Sequence, residues 1–256
     1  MKLSSRLIST LSALAVCGAA WAQTATTGFV TLEDSSGAPV RAYVAGPDGA
    51  KSGILIVHDY FGISDFTTRS AQRLAAHGYR VVAVDLYRGR SASNDEAAAR
   101  LMKEMQGQDR AITDRTLQAG LDALKRPDRR IGTLGFSMGG IEALNAGLND
   151  TRGVQATAIV YGFGFGQLDA KRLAALQGPV LTVTGALDQG SLQATVELMQ
   201  RGADLPRPLE MLVMPQVGHA YAQPLFGGGK GYSAVATEAT WRAIDEFFAS
   251  TLKPAL

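Results

Sequence analysis

Short unbroken apolar runs alternate along this chain with longer stretches in which apolar residues return every three or four positions. The runs at 54–57, 80–84, 130–134, 156–160, 179–184 and 209–214 suit strands covered on both faces. Between and after them, 67–76, 94–105, 111–125, 141–146, 192–201 and 234–252 carry helical spacing. Gly78 stops the first of these helices, Ser93 or Asn94 caps the second, and Pro127 closes the third stretch. Ahead of them, 29–32 and 40–44 flank Ser35-Ser36-Gly37-Ala38-Pro39, which signals a hairpin. Strand then helix, repeated, predicts an α/β fold with a mostly parallel central sheet and helices on both faces. In such sheets ligands bind beyond the carboxyl ends of the strands, and the polar clusters of this chain follow those ends. No repeat, low-complexity tract or linker interrupts 28–252, so a single domain over 23–256 is expected.

Composition narrows the class. The chain has 256 residues, 46% of them hydrophobic and 19% charged, enough to bury a full core. A net charge of +2 gives no footprint for nucleic acid or an anionic membrane, and neither is expected as a partner. Residues 1–22 stand apart from the fold. Lys2 and Arg6 precede a largely apolar stretch, and Ala20-Trp21-Ala22 matches a small-x-small cleavage pattern, so a signal peptide cut before Gln23 is expected. The apolar stretch is short for a bilayer span of ~20 residues. Val16 is wrong for lipid attachment at Cys17. The implied location is outside the cytoplasm, in the periplasm. Cleavage takes away Lys2 and Arg6 from 25 basic residues, leaving 23 to match the 23 acidic ones, and removes the sole cysteine. Disulfides are then impossible even in an oxidising compartment, so the core alone must stabilise the mature chain.

The chemistry centres on Gly135-Phe136-Ser137-Met138-Gly139, between the 130–134 strand and the 141–146 helix. Gly-x-Ser-x-Gly in that context is a nucleophile elbow, a turn so tight that the neighbours of the serine must be small. The hydroxyl is then held at the sheet's carboxyl edge, with the Met138 N–H pointing to a helix N-terminus that favours negative charge. A glycine-rich turn with an incidental serine is the bland alternative.

A serine hydroxyl needs a neighbouring base. Three histidines exist. His77 ends a helix beside Gly78, on the opposite edge of the sheet. His58 ends a strand on the oxyanion side of the serine. His219 follows the last strand in a Gly-His loop, downstream of Ser137 as the order Ser, Asp, His requires. Asp150 ends a helix, Asp169 looks like a helix cap and Asp204 sits in a turn. Asp188 follows a strand by a short Gly-Ala-Leu loop, which favours it as the acid that fixes the imidazole tautomer. It is equally placed to cap the helix that begins near Ser191. The second oxyanion donor belongs in the loop after the 54–57 strand, which nominates the Tyr60 N–H. Tyr60 and Phe61 also suit a pocket wall.

Taken together, His58-Asp59-Tyr60-Phe61-Gly62, Asp85-Leu86-Tyr87, Gly135–Gly140, Gly185-Ala186-Leu187-Asp188, Gly218-His219-Ala220-Tyr221 and Gly231-Tyr232-Ser233-Ala234 resemble the dienelactone hydrolase family in order and spacing. The resemblance covers about 28–252 and implies an α/β-hydrolase fold that cleaves esters, typified by a lactone bearing a conjugated carboxylate. It departs at three places. The best-known members carry cysteine in the elbow, where Ser137 stands. They carry glutamate in place of Asp59, contacting the thiol and helping to form a thiolate. They also bind the substrate carboxylate through two arginines. Gly89, between Arg88 and Arg90, takes the place of one, and Gln223 takes the place of the other.

The resulting expectation is a secreted serine hydrolase of ester or lactone bonds. Ser137, His219 and Asp188 form its triad, Met138 and Tyr60 its oxyanion hole, and no metal or cofactor takes part. Asp59, Tyr87, Arg88, Phe136 and Tyr221 are the expected substrate contacts. Phe163, Phe165 and Phe226 join an apolar pocket of which at least half is core. Gly227–Gly231 is expected to form a lid. It is not a phosphate loop, because Gly rather than Ser or Thr follows Lys230. A peptidase or acyltransferase on the same triad is the alternative enzyme, and a ligand-binding protein without catalysis is the alternative class.

Overall fold

The computed structural model describes residues 26–150 and 153–252. The leader read at 1–22, and the export it implies, lie outside the described residues. An antiparallel pair, β1 (Gly28–Glu33) and β2 (Pro39–Ala45), opens the fold. Then come β3 (Ser52–Val57), α1 (Asp65–Ala76), β4 (Arg80–Val84), α2 (Asp95–Gln106), α3 (Arg110–Leu124) and β5 (Arg130–Phe136). The second half runs α4 (Met138–Asn149), β6 (Ala156–Val160), α5 (Ala170–Leu173), β7 (Val180–Gly185), α6 (Gln189–Arg201), β8 (Leu209–Met214) and α7 (Ala234–Leu252). The eight strands form one sheet in the order β1-β2-β4-β3-β5-β6-β7-β8. Strands β3 to β8 are mutually parallel, and β2 meets β4 antiparallel.

The central strands β3, β6 and β7 are buried along their whole length, which explains why they read as unbroken apolar runs rather than alternating ones. One face packs under α1 and α7 through Leu74, Trp241, Ile244 and Phe248. The other packs under α2, α3 and α4 through Leu101, Leu117, Leu121 and Ala143, and further along under α4 and α6 through Leu144, Leu148 and Leu198. Asn94 caps α2 by accepting from the Ala97 N–H, and the Asp169 carboxylate caps α5 from the Arg172 N–H. The apolar pattern does not reveal α5, because four residues show no period. Helix α6 starts at Gln189, three residues before its apolar spacing, because the Asp188 side chain caps it there. Among the described residues no helix is long and apolar enough to cross a membrane.

The sheet order brings the ends of β3, β5, β7 and β8 to one edge, with β5 central and followed at once by α4. Close approach there depends on glycine. A Cβ on Gly135 would lie 2.1 Å from the Gly139 carbonyl oxygen, and one on Gly139 would lie 2.4 Å from the carbonyl oxygens of Val57 and His58. Between them Ser137 has φ 53° and ψ −121°, backbone that an L residue adopts only under constraint. Hydrogen bonding of the Ser137 N–H to the Val160 carbonyl (3.0 Å) and of the Gly140 N–H to the Ser137 carbonyl (2.9 Å) supplies that constraint.

Candidate active site

Three loops place the polar groups around Ser137. Ser137 Oγ lies 2.9 Å from His219 Nε2, and His219 Nδ1 lies 2.6 Å from Asp188 Oδ2. The other Asp188 oxygen accepts from the Ser191 N–H at 3.1 Å, so the carboxylate both orients the imidazole and caps α6. Ser191 Oγ adds a contact of 3.4 Å to His219 Nδ1 while donating to the Tyr161 carbonyl at 3.0 Å. Burial opposes ionisation of Asp188, yet hydrogen bonds from His219 and Ser191 outweigh it and hold its pKa below the ordinary value. An ionised carboxylate on Nδ1 keeps that nitrogen protonated, which leaves Nε2 free to accept from the serine. Ser137 is 6% exposed and the His219 side chain 26%, so the relay opens to solvent chiefly at the imidazole. Rings of Tyr161, Phe163 and Phe226 stand 5.4, 5.8 and 5.6 Å from the imidazole.

On the other side of the serine, Met138 is the first residue of α4, and its N–H has no partner within the helix. The Tyr60 N–H, in the loop after β3, has no acceptor among the described residues. Its side chain is fixed, because the Tyr60 hydroxyl donates to Asp95 at the start of α2. Asp95 Oδ2 also accepts from the Gly227 N–H at 3.1 Å. Asp95 thereby links the loop after β3 to the glycine turn that follows the histidine loop. In that turn Gly227, Gly228 and Gly229 have φ of 58°, 64° and 81°. The Phe226 ring is carried over both Tyr60 (6.0 Å) and His219 (5.6 Å).

The expected substrate contacts divide. Phe136 is 2% exposed and packs between Phe66 and Trp241, with ring centroids 4.9 and 6.0 Å away, so it belongs to the core under α1 and α7. Its position in the strand turns it to the opposite face of the sheet from the cleft. Tyr221 is also core: it is fully buried and its hydroxyl shares a 2.5 Å hydrogen bond with Thr240 of α7. Phe165 is buried beside Leu173 and Leu198. Asp59 is not open to a ligand either. Its Oδ1 accepts from the Phe61 N–H at 2.9 Å and its Oδ2 from Gln223 Nε2 at 2.5 Å. Burial raises the Asp59 pKa to about 6 despite those two donors and nearby His219.

Tyr87 is buried beside the site, with its hydroxyl 3.2 Å from Met138 Sδ. Arg88 donates to Gln108 at 3.3 Å, and Arg90 pairs with Glu104 at 2.6 Å. These residues border a cleft of about 220 Å³, next to one of about 260 Å³ lined by Met138, Ile141, Phe163 and Arg110. A wider concavity of about 690 Å³ lies on the other side of Arg88, which borders it as well, between β1–β2 and α3. None of the three is lined by Ser137, Asp188 or His219, though the 260 Å³ cleft reaches Met138 beside the serine, and two arginines of the wide concavity are taken, Arg41 by Asp85 and Arg115 by Asp34. His77 is solvated, 3.1 Å from Asp245, as its place beside Gly78 suggests. The roles of Ser191, Asp95 and Gln223 have no sequence signal, since each pairs with a residue fixed only by the fold.

A mostly parallel sheet in this order, with a strained serine between β5 and α4 and an imidazole–carboxylate pair beside it, places the protein among the α/β-hydrolases. Within that class the chain belongs to the dienelactone hydrolase family, whose sequence profile matches residues 40–252. It is 30% identical over 212 residues to the carboxymethylenebutenolidase of Rhodococcus opacus, a match covering 78% of this chain and 81% of that protein. Two Aquifex relatives match over only part of their length. The identity is 29% over 136 residues, 50% of this chain and 59% of the Aquifex aeolicus protein. It is 28% over 114 residues, 42% of this chain and 49% of protein usf of Aquifex pyrophilus. Among solved structures, a dienelactone hydrolase-like promiscuous phosphotriesterase from metagenomic libraries superposes with a TM-score of 0.73 at 22% identity, covering 89% of this chain and 99% of that one. A cold-adapted esterase from an Arctic intertidal metagenomic library gives 0.61 at 20% identity, covering 88% and 93%.

Proposed function

We propose that this hydrolase cleaves carboxylic esters through an acyl-enzyme on Ser137. The observation that carries the reading is the relay from Ser137 Oγ through His219 to Asp188, at 2.9 and 2.6 Å, on a serine held at positive φ. His219 takes the serine proton as Oγ bonds to the carbonyl carbon. The Met138 and Tyr60 N–H groups receive the oxygen as its charge develops. His219 then protonates the departing alkoxide, and a water activated by the same imidazole releases the acid. The names of two similar proteins, a carboxymethylenebutenolidase and an esterase, support ester or lactone chemistry.

The pairing of Arg90, Arg110 and Gln223 favours a neutral ester over an anionic lactone, with Arg88, held only by the neutral Gln108, the one arginine lining these clefts without a carboxylate partner among the described residues. Gln223 is committed to Asp59, Arg90 to Glu104, and Arg110 lies between Glu142 and Asp114 at 2.7 and 2.8 Å. A buried substrate carboxylate would meet no free bidentate partner among them. Hydrolysis of 4-nitrophenyl butyrate tests the reading: wild type should turn it over, and Ser137→Ala should remain folded and lose about 10⁶ in kcat. Full activity in that variant would make the elbow serine structural.

The export expected from 1–22 is part of the same proposal. Full-length protein expressed in a Gram-negative host should be recovered from the periplasm with Gln23 at its N-terminus. Cytoplasmic protein that retains Lys2 would contradict it.

A further inference from the structure

The turn that carries the Tyr60 amide is held by a histidine outside the proton relay. His58, at the end of β3, is fully buried. Its Nδ1 lies 2.6 Å from the Asp59 carbonyl oxygen, and its Nε2 lies 3.1 Å from the Leu86 backbone nitrogen. A carbonyl only accepts and a backbone amide only donates. The ring is therefore neutral, with its proton on Nδ1. Burial acts in the same direction, pushing the His58 pKa down. The Tyr87 ring, 4.8 Å away and tilted, packs against the imidazole.

We propose that His58 is the positioning residue of the oxyanion hole: its Nδ1–H fixes the Asp59 carbonyl, and so turns the Tyr60 N–H of the same peptide toward Ser137. The proposal rests on the reading of Tyr60 as an oxyanion donor.

No cis bond occurs among the described residues, and in a trans peptide the N–H and C=O point in opposite directions. Holding one therefore aims the other. The Asp59 carbonyl receives two donors, His58 Nδ1–H and the Gly62 N–H at 3.2 Å. The next amide along, that of Phe61, is occupied by the Asp59 carboxylate. The Tyr60 N–H between them has no acceptor among the described residues. The turn also lies against the start of α4, since Gly139 has no room for a Cβ beside the Val57 and His58 carbonyls. The loop that carries the 59–60 peptide therefore starts beside the first turn of α4, where the Met138 amide has no partner within the helix. Through Nε2 the same ring is anchored to the end of β4, so the clamp spans two strand ends. A donor fixed in this way does not have to reorient as charge develops on the substrate oxygen.

Two measurements test this. The first uses wild type alone: ¹⁵N NMR of the His58 ring should show a protonated Nδ1 and a bare Nε2, and a proton on Nε2 would overturn the proposal. The second compares His58→Asn with His58→Gln. The asparagine amide nitrogen falls where Nδ1 lies and can still donate to Asp59. Glutamine reaches instead to the Nε2 position and can still accept from Leu86. With 4-nitrophenyl butyrate, His58→Gln should lose about 10² in kcat, with KM within about threefold of wild type. His58→Asn should keep kcat within about tenfold of wild type. Equal losses in the two variants, or a folded His58→Gln with wild-type kcat, would show a merely structural histidine. If a variant does not fold, the ring tautomer in wild type decides. If wild type does not hydrolyse the ester, the ester reading fails by itself, and the tautomer still tests the clamp.

Discussion

The loops on the two sides of Ser137 are built from similar residues and are used differently. On the side of β7 and β8, Asp188 and His219 face each other and the serine in one relay of hydrogen bonds, the one proposed to move the proton. On the side of β3 and β4, the polar groups are held by other protein groups: His58 by the 59–60 peptide, Asp59 by Gln223 of the histidine loop, Tyr60 by Asp95, and Arg90 by Glu104. The first region is organised for chemistry and the second for shape. What the difference teaches is that a charged or aromatic side chain near a nucleophile acquires its role from its partner. The side chain that completes a pair inside the protein is lost to the substrate.

The comparison breaks first if the β7–β8 side proves dispensable. Asp188→Asn puts an N–H against His219 Nδ1, which must then accept, so Nε2 carries the proton and cannot take the serine's. A loss of about 10⁴ in kcat with unchanged secondary structure is expected. Circular dichroism and steady-state kinetics on the pure variant decide it.

The β3–β4 side should show itself in stability instead. Burial raises the Asp59 carboxyl from its ordinary value of 3.8 to about 6, so between those values the folded protein binds more protons than the unfolded chain. Stability is then lost as pH rises through that window and stays lost above it. Asp59→Asn is neutral throughout. Relative to the variant, wild type should become less stable by up to about 3 kcal/mol between about pH 4 and about pH 7.5, read from urea unfolding. A difference that does not change with pH would mean that Asp59 ionises freely in the folded protein.

A smaller effect sharpens the same contrast. Matched esters differing only in a free or methylated remote carboxyl should favour the methylated form by about tenfold in kcat/KM. Preference for the free acid, lost on Arg88→Ala, would return a cation to the substrate side and restore the family's anionic lactone.

How far these regions are legible in the sequence follows from the same distinction. The sheet is legible because its central strands are buried on both faces and show as apolar blocks. The elbow is legible because glycine is required on both sides of Ser137. Asp188 and His219 follow from chain order and from the strand ends that carry them. Phe136 and Tyr221, read as substrate contacts, lie in the core because the way each side chain faces depends on where α1 and α7 pack. The Asp59–Gln223 pair joins residues 164 positions apart, and Asp95 reaches Gly227 across 132. No local pattern encodes such a partner. Asp59 and Gln223 each look like the loss of a family feature when taken singly. Together they are one satisfied pair.

The account depends most on covalent attack by Ser137. Rapid acid quench of wild type with a slowly deacylating 4-nitrophenyl ester, followed by mass spectrometry of the digest, reads that step directly. The expected result is one acyl group on the peptide containing Ser137, formed with a burst of nitrophenol and absent from Ser137→Ala. Steady hydrolysis with no burst and no adduct, undiminished in Ser137→Ala, would contradict it.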